Sequence, residues 1–360
     1  MTAALEHALA LNTPHPSHEL VQVVRGHRSG LAITIAIHST ALGPAAGGCR
    51  IVHYPDPAAA IADALRLAAA MTEKNALAGL AHGGAKAVVA LPAAGRPPAL
   101  DRTALLHDLG DAIESLGGRY IAGPDVGSSP ADMSVIAERT AHVCCRPVED
   151  GGSGDSSLHT ARGTLAALRA VAEEAFGSAD LAGRTFGVIG LGAVGAHVAR
   201  LLNRAGARLV VTDINPATRS LAEELGATWV DPDDALAAEV DVLVPAALGG
   251  LLTAATVPLL RCAAVAGPAN NQLDEPATAG LLAGRGILWA PDVIVSAGGV
   301  IHATGAELHR ESEEQLTQRL HGIAGTLRQV FHTARTHRTT PAAAATELAG
   351  QRVRRATRPA

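Results

Sequence analysis

Lys74 and Lys86 are the only lysines in 360 residues; every other member of the 29 Lys+Arg residues is an arginine. An ammonium differs from a guanidinium in one respect that matters for chemistry, because it can readily lose its proton. Lys86 directly follows Gly83-Gly84-Ala85, where small residues leave room for a ligand beside the amine. Low-dielectric walls and a neighbouring cation favour a neutral amine, which suits a general base near neutral pH. Lys74 can supply that second cation and bind a carboxylate. Asp125, in the turn Gly123-Pro124-Asp125-Val126-Gly127, is a candidate proton acceptor or donor. The ordinary alternative is a pair of solvated lysines and a local turn cap, and spacing alone does not choose between them.

A second group of residues points to a dinucleotide. The apolar run Thr185–Ile189 reads as a strand that enters Gly190-Leu191-Gly192-Ala193-Val194-Gly195 and then an alanine- and leucine-rich helix. The first glycine allows the tight turn, the second lets backbone approach a pyrophosphate, and the third lets helix and strand pack closely. The helix N-terminus attracts the phosphates. A second strand, Leu209–Thr212, ends at Asp213, where a carboxylate accepts the ribose hydroxyls and repels a 2′-phosphate. The expected cofactor is therefore NAD, with Arg219 as the one nearby residue that would suit NADP.

The elements that must position these residues follow from pattern. Leu31 to His38 alternates as a strand, Gly43 to Gly48 reads as a loop, and Asp56-Pro57 opens a helix with Ile61, Leu65, Ala68 and Thr72 on one face. His82 to Lys86 reads as a glycine-rich turn before a short strand, Ala87 to Leu91. A helix covers about Arg102 to Leu116, and Tyr120-Ile121-Ala122 leads into the Asp125 turn. The polar, glycine-rich stretch Glu149 to Asp155 reads as a hinge. Beyond it a helix from Ser157 to Phe176 opens an alternation of helices with strands at Thr185–Ile189, Leu209–Thr212, Val242–Pro245, Ala263–Ala266 and Ile287–Ala290, the mark of a doubly wound parallel sheet. Leu316, Leu320, Ile323, Leu327 and Val330 form the seam of a long amphipathic helix, and a last helix runs from about Pro341 to Arg352.

Composition narrows the function classes. Acidic residues outnumber Lys+Arg, 34 to 29, for a net charge of −5, which argues against non-specific binding to nucleic acid or a membrane surface. Aromatics are 2%, so base-stacking platforms are not expected. Met1 to Leu20 lacks the apolar core of a signal peptide, and no stretch has the length of a membrane span. Cys49, Cys144, Cys145 and Cys262 form no C-x-x-C pair and read as reduced thiols of a cytoplasmic protein. The histidines are scattered, and no metal site is expected.

Several ordered motifs resemble one family. Ala41-Leu42-Gly43-Pro44-Ala45-Ala46-Gly47-Gly48-Cys49-Arg50 is similar to its substrate loop. Met71 to Asn75 with Leu80 to Lys86 is similar to its lysine signature. Gly123 to Gly127, Ala266 to Gln272, Ala290-Pro291-Asp292 and Ala297-Gly298-Gly299 follow in matching order over residues 20 to 355. The family is the glutamate/leucine/phenylalanine/valine dehydrogenases, and the resemblance is nearest the phenylalanine, valine and leucine branch. It implies an α/β protein of two domains about a cleft: a substrate domain with a mixed sheet, residues 1–150; a Rossmann-type doubly wound dinucleotide-binding domain, 151–330; and a C-terminal helix, 331–360, returning to the first. It implies NAD-dependent, reversible oxidative deamination of an L-amino acid to a 2-oxo acid and ammonia. Lys74 would hold the substrate carboxylate, Lys86 would be the general base, and Asp125 would shuttle protons. Gly47, Gly48 and Asn270 would contact substrate. Ala46, Gly123, Val300 and Ala303 would wall the side-chain pocket. Gly190, Gly192, Ala193, Val194, Gly195, Asp213, Asn270 and Ser296 would contact NAD. A homo-oligomer, a dimer or larger, is also implied, and the strand at Leu31–Ile37 is a candidate to pair across subunits.

Four positions depart from the family pattern: Ser296 where Asn is usual, Pro268 where a small Ala or Ser is usual, Cys49 where Thr is common, and Ala85 in place of a third glycine. Glutamate members carry Lys in the Ala46 slot, which predicts that glutamate is a poor substrate. The small walls predict a bulky apolar, phenylalanine-like substrate. The alternatives are a valine or leucine dehydrogenase, or a catalytically weakened NAD-binding relative with a regulatory or biosynthetic role.

Overall fold

The structure, a computed structural model, describes residues 18–91 and 101–357. Most of the N-terminal stretch read for a signal sequence thus lies outside the described residues. The chain forms two compact units. One takes the chain up to Asp155, Ala303–Arg310 and the segment from Ala349 onward; the other takes Ser156–His302 and Glu311–Leu348. The part that groups with the first unit near the C-terminus thus starts at Ala349, not at 331. Among the described residues no helix is long and apolar enough to cross a membrane.

The first unit is a mixed five-stranded sheet with helices. Its elements are β1 (Leu20–Arg25), β2 (Ala32–Ser39), β3 (Ala45–His53), α1 (Pro57–Leu77), β4 (Gly83–Leu91), α2 (Arg102–Glu114), β5 (Tyr120–Pro124) and α3 (Pro130–Ala137). The strand order is β1-β2-β4-β3-β5. β2 is antiparallel to β1 and β4, whereas β3 is parallel to β4 and β5. Asp56 caps α1 by accepting from Ala59 N at 2.8 Å, as its position before Pro57 predicts. Three expectations change. β1 was not read from the sequence, because its side chains are only half-buried. It occupies the edge, so the strand at Leu31–Ile37 is interior and cannot pair across subunits. The loop read at Gly43 to Gly48 becomes strand from Ala45, and the turn read at His82 to Lys86 becomes strand from Gly83. Glycine weakens strand propensity, yet here it is what lets neighbouring backbone in.

Alternation sorts this sheet into two faces. Ile33, Ile35 and Ile37 of β2, Cys49 and Ile51 of β3, Ala85, Ala87 and Val89 of β4, and Tyr120 and Ala122 of β5 build one core with α2. Each fully buried isoleucine contributes about 1.5–3 kcal/mol. The opposite face packs Ala36 and Val88 against Ala60, Ile61, Ala64, Leu65 and Ala68 of α1. Lys86 pairs with Ala36 in register, so it lies on the α1 face. The same two-residue period puts Gly48, Arg50, Gly84 and Gly123 there.

The second unit carries β6 (Thr185–Ile189), β7 (Arg208–Thr212), β8 (Thr228–Trp229), β9 (Val242–Pro245), β10 (Ala264–Val265) and β11 (Leu288–Trp289). The order is β11-β10-β9-β6-β7-β8 and every pair is parallel. The order reverses at β6, which is the switch point where doubly wound sheets bind ligands. Helices α4 (Ser157–Phe176) and α5 (Ala193–Arg204) follow the sequence reading. The long helix α6 (Glu313–His337) opens with a Ser312/Gln315 capping box and buries Leu316, Leu320, Ile323, Leu327 and Val330. Helix α7 is Pro341–Ala356.

Gly84 shows how tightly the Lys86 strand is seated. A Cβ there would sit 2.0 Å from Thr72 N and 2.6 Å from Ala68 O, both backbone atoms of α1. Gly84→Ala should therefore destabilise the protein by at least about 1–3 kcal/mol, the usual cost of overpacking. Urea unfolding measures it, and an unchanged midpoint would show that α1 is free to back away.

Candidate active site

Lys86 is buried, and its Nζ lies 2.9 Å from Asp125 Oδ2. Arg50 Nε lies 2.9 Å from the same oxygen, while its Nη1 reaches Asp63 Oδ2 of α1, also at 2.9 Å. Tyr54 donates to Asp63 at 2.6 Å and Arg66 completes the network. Burial alone would raise the Asp125 carboxyl, but Lys86 and Arg50 outweigh it and hold the group below the usual carboxylate range. The loop after β5 fixes Asp125 in place: its N–H donates to Ser128 Oγ at 2.9 Å, and that hydroxyl donates to Cys49 O at 2.7 Å.

Glycine at 48 is required by this pair. A Cβ on Gly48 would fall 2.7 Å from Asp125 Cβ and 3.1 Å from Lys86 Nζ. One on Gly47 would collide with Ala85 O at 1.8 Å. Tyr120 OH supports both residues from the opposite face by donating toward Gly47 O and Gly48 O, at 3.1 and 3.2 Å. Cys49 is sealed in that core, and burial pushes its thiol up to about 12.

Lys74 is half-buried in the last turn of α1. That turn is tied to the sheet by Asn75, whose amide donates to Gly83 O at 2.6 Å and Ala46 O at 3.3 Å. Arg352 donates to Ala76 O and Leu77 O, both at 2.8 Å, adding side-chain donors to the carbonyls at the end of α1. Ala46, Gly123 and Ala303 are buried in the first unit, and Val300 is half-buried in the second. Arg50, Asn75, Ser128 and Arg352 were not singled out from the sequence. Arg50 and Arg352 have partners 75 and 276 residues away, beyond any local pattern, whereas Ser128 bonds Asp125 only three residues back and could have been found as part of that turn.

In the second unit, Gly190 has φ of +101°, which favours glycine, and Gly195 could not bear a Cβ because Gly190 O would be 2.0 Å away. Nothing lies within 4 Å of a Cβ built on Gly192, which leaves the approach to the start of α5, at Ala193 and Val194, clear for a phosphate. Asp213 directly follows β7 and accepts from Leu191 N at 2.6 Å and Asn215 N at 2.7 Å. Arg219 stacks over Trp229 and pairs with Asp231 at 3.5 Å. Ile214 and Leu248 are exposed beside the carboxyl ends of β7 and β9. This cradle fits a dinucleotide on observed geometry.

Ser296 Oγ lies 2.6 Å from Asp292 O, to which it donates, and 3.2 Å from Asn270 Oδ1. Gln272 braces the Asn270 loop by donating to Gly267 O at 2.7 Å and Ala269 O at 3.1 Å, and its own N–H donates to Asp292 Oδ2 at 2.9 Å. Pro268 brings no N–H, and its neighbour Ala269 N donates to Pro245 O of β9 at 3.0 Å. The two departures thus sit in two segments, the 267–272 loop and the end of the helix at Asp292–Val295, that hydrogen bonds join to each other.

Comparisons with known proteins place the chain in a family. Residues 17–142 match the Glu/Leu/Phe/Val dehydrogenase dimerisation domain, and residues 211–359 match the glutamate/leucine/phenylalanine/valine dehydrogenase domain. Residues 156–260 match the NAD-binding domain of the D-isomer-specific 2-hydroxyacid dehydrogenases. The chain is 43% identical over 340 residues to valine dehydrogenase of Streptomyces albus, covering 93% of this chain and 92% of that one. It is 40% identical over 337 residues to leucine dehydrogenase of Geobacillus stearothermophilus, covering 93% and 90%. The crystal structure of L-tryptophan dehydrogenase from Nostoc punctiforme superposes with a TM-score of 0.82 at 34% identity, covering 95% of this chain and 98% of that one. With two family domains matched in order and relatives aligned over nearly their whole length, the chain belongs to the glutamate/leucine/phenylalanine/valine dehydrogenase family and is an NAD-dependent oxidoreductase acting on the CH–NH2 group of an amino acid.

Proposed function

We propose that this enzyme carries out the reversible oxidative deamination of an apolar L-amino acid to its 2-oxo acid and ammonia, and that it favours a bulky side chain of the phenylalanine class. The observation that carries the reading is the buried Lys86 amine held 2.9 Å from Asp125 over Gly48. Lys74 binds the substrate carboxylate. Asp125, ionised at neutral pH, accepts a hydrogen bond from the substrate amino group and relays its proton. NAD held at Gly190 to Gly195 and Asp213 would supply the acceptor for the hydride of the substrate Cα. Lys86, once its ammonium has given up a proton to solvent, takes a proton from the water that attacks the imino acid, and returns it as ammonia leaves. Asn270 and Ser296 orient the reacting end of the cofactor. The Asp213 carboxylate, anchored between Leu191 and Asn215, receives the ribose hydroxyls and repels a 2′-phosphate, while Arg219 is engaged with Trp229 and Asp231.

The substrate preference rests on small walls. Ala46 and Ala303 are 3% and 4% exposed, and Gly123 presents no side chain at all. A ring fills such a volume, whereas each missing methylene-sized group forfeits about 1–3 kcal/mol. No cation occupies the Ala46 slot, so an acidic side chain would be buried unpaired. A second reading, a valine or leucine dehydrogenase, is favoured by the 43% identity to valine dehydrogenase and by Val300, a β-branched wall. We also infer a homo-oligomer, in keeping with the matched dimerisation domain; β1 is the edge strand on which a second copy would pair.

A spectrophotometric screen tests the reading. With NAD, kcat/KM should run phenylalanine or tryptophan above leucine and valine, with glutamate poorest; NADP should be the weaker cofactor. A clear lead for valine would establish the second reading, and no oxidation of any amino acid would overturn both. Lys86→Ala should keep NAD binding and lose at least ~10²-fold in turnover, within the usual range for removal of a general base. Lys74→Ala should chiefly raise KM, because its carboxylate contact is shared by ground and transition states. Near-normal turnover in Lys86→Ala would sink the base assignment.

A further inference from the structure

Cys144 and Cys145 are adjacent, and nothing in the reaction above uses them. Cys144 is buried and Cys145 half-buried, with their Sγ atoms 3.8 Å apart. Their segment is stitched to β5: Ala122 N donates to His142 O at 3.0 Å, and Cys144 N donates to Ala122 O at 2.8 Å. Cys145 adopts a left-handed φ of 63°. Its N–H donates at 2.6 Å to the Glu307 carboxylate, which also accepts from Ser153 N and Oγ, both at 3.1 Å, and pairs with Arg146 at 3.3 Å. The backbone is thus pinned in a conformation that turns both sulfurs the same way. They point at Gly123, where a built Cβ would lie 3.6 Å from Cys144 Sγ and 3.7 Å from Cys145 Sγ. Gly123 pairs with Gly48 in register, so the dithiol borders the sheet face that carries Lys86 and Asp125.

We propose that Cys144-Cys145 is a redox modification site, a dithiol that a low-molecular-weight disulfide converts to a vicinal disulfide, slowing turnover by reshaping the surface around Gly123. The Cys145 thiolate attacks one sulfur of the small disulfide, whose S–S bond breaks to release one thiolate. Cys144 then gives up its proton, and its sulfur displaces the second small thiol from Cys145. Two protein thiols are oxidised, and the small disulfide is reduced to two thiols. Access sets the order, since only Cys145 is reachable. The neighbouring Cys145 sulfur and burial both raise the Cys144 thiol, which therefore waits protonated as the resolving group. Adjacent Cα atoms stand only ~3.8 Å apart, short of the ~4.4–6.8 Å that ordinary disulfides span. The bond is consequently strained and easily reduced, as labile, regulatory disulfides are, and it closes where reduced glutathione is scarce, as in a large excess of glutathione disulfide. Burial pushes the Cys49 and Cys262 thiols up to about 12 and about 11, which makes them poor competitors. Only the effect on turnover rests on the proposed amino-acid oxidation.

The test treats the full chain, with NAD present, with glutathione disulfide and reads intact mass, peptide map and turnover. Wild type should lose the mass of two hydrogens, retain no glutathione, map the bond to Cys144-Cys145, and lose most of its turnover until dithiothreitol restores it. Cys144→Ser should instead trap glutathione on Cys145. Cys145→Ser should stay unmodified and keep whatever turnover it had before treatment. An unchanged wild-type mass, a bond mapped elsewhere, or a vicinal disulfide that leaves turnover intact would overturn the proposal. The mass readout stands even if no amino acid is oxidised.

Discussion

One carboxylate oxygen organises the first unit. Asp125 Oδ2 receives Lys86 Nζ and Arg50 Nε at the same distance, 2.9 Å. Taking a lysine and an aspartate out of water is costly, and removing one partner of such a pair leaves the other uncompensated, at about 3–5 kcal/mol. Two cations on one oxygen keep the carboxylate ionised and leave its other oxygen unused by either. Arg50 passes the constraint on to Asp63, and so to α1, the helix that also carries Lys74.

The rest of the unit can be read as what this arrangement requires. The amine and carboxylate need a sheet face with no bulk beside them, which is why glycine stands at 48. They need a helix close enough to enclose them, which Gly84 allows by admitting Thr72 N to within 2.0 Å of where its side chain would begin. They need the opposite face dry and rigid, and Ile33, Ile35, Ile37 and Tyr120 supply that. The second unit solves a separate problem with the same device: Gly190, Gly192 and Gly195 trade side chains for backbone approach at the switch point of a parallel sheet.

What was legible in the sequence was local. Strands Thr185–Ile189 and Val242–Pro245 and helix Ser157–Phe176 match residue for residue, because buried parallel strands and capped helices carry strong patterns. Lys74, Lys86 and Asp125 stood out by type and by neighbouring glycines. What was hidden was either weakly patterned or long-range. β1 is an edge strand with a half-wet face, and the two-residue strand β8 is too short to show a period. Gly43 to Gly48 reads as a loop because its glycines report packing contacts, with Ala85 O and Asp125, that no local rule encodes. Arg50 looks like any strand arginine until Asp125, 75 residues on, comes beside it. The vicinal cysteines were visible, but their shared direction toward Gly123 was not.

The most direct test of this account is turnover in Asp125→Asn as a function of pH, with NAD affinity measured alongside. The substitution keeps the shape of the side chain and removes the charge that Lys86 and Arg50 share. Because those cations hold the Asp125 carboxyl below its ordinary range, wild-type turnover should fall at acid pH as that group takes up a proton. The variant should lose at least ~10²-fold in kcat, bind NAD as before, and lack that acid limb. A variant that turns over within a few fold of wild type, with the acid limb intact, would show that the Lys86–Asp125 pair is a structural ion pair and not the centre of the reaction.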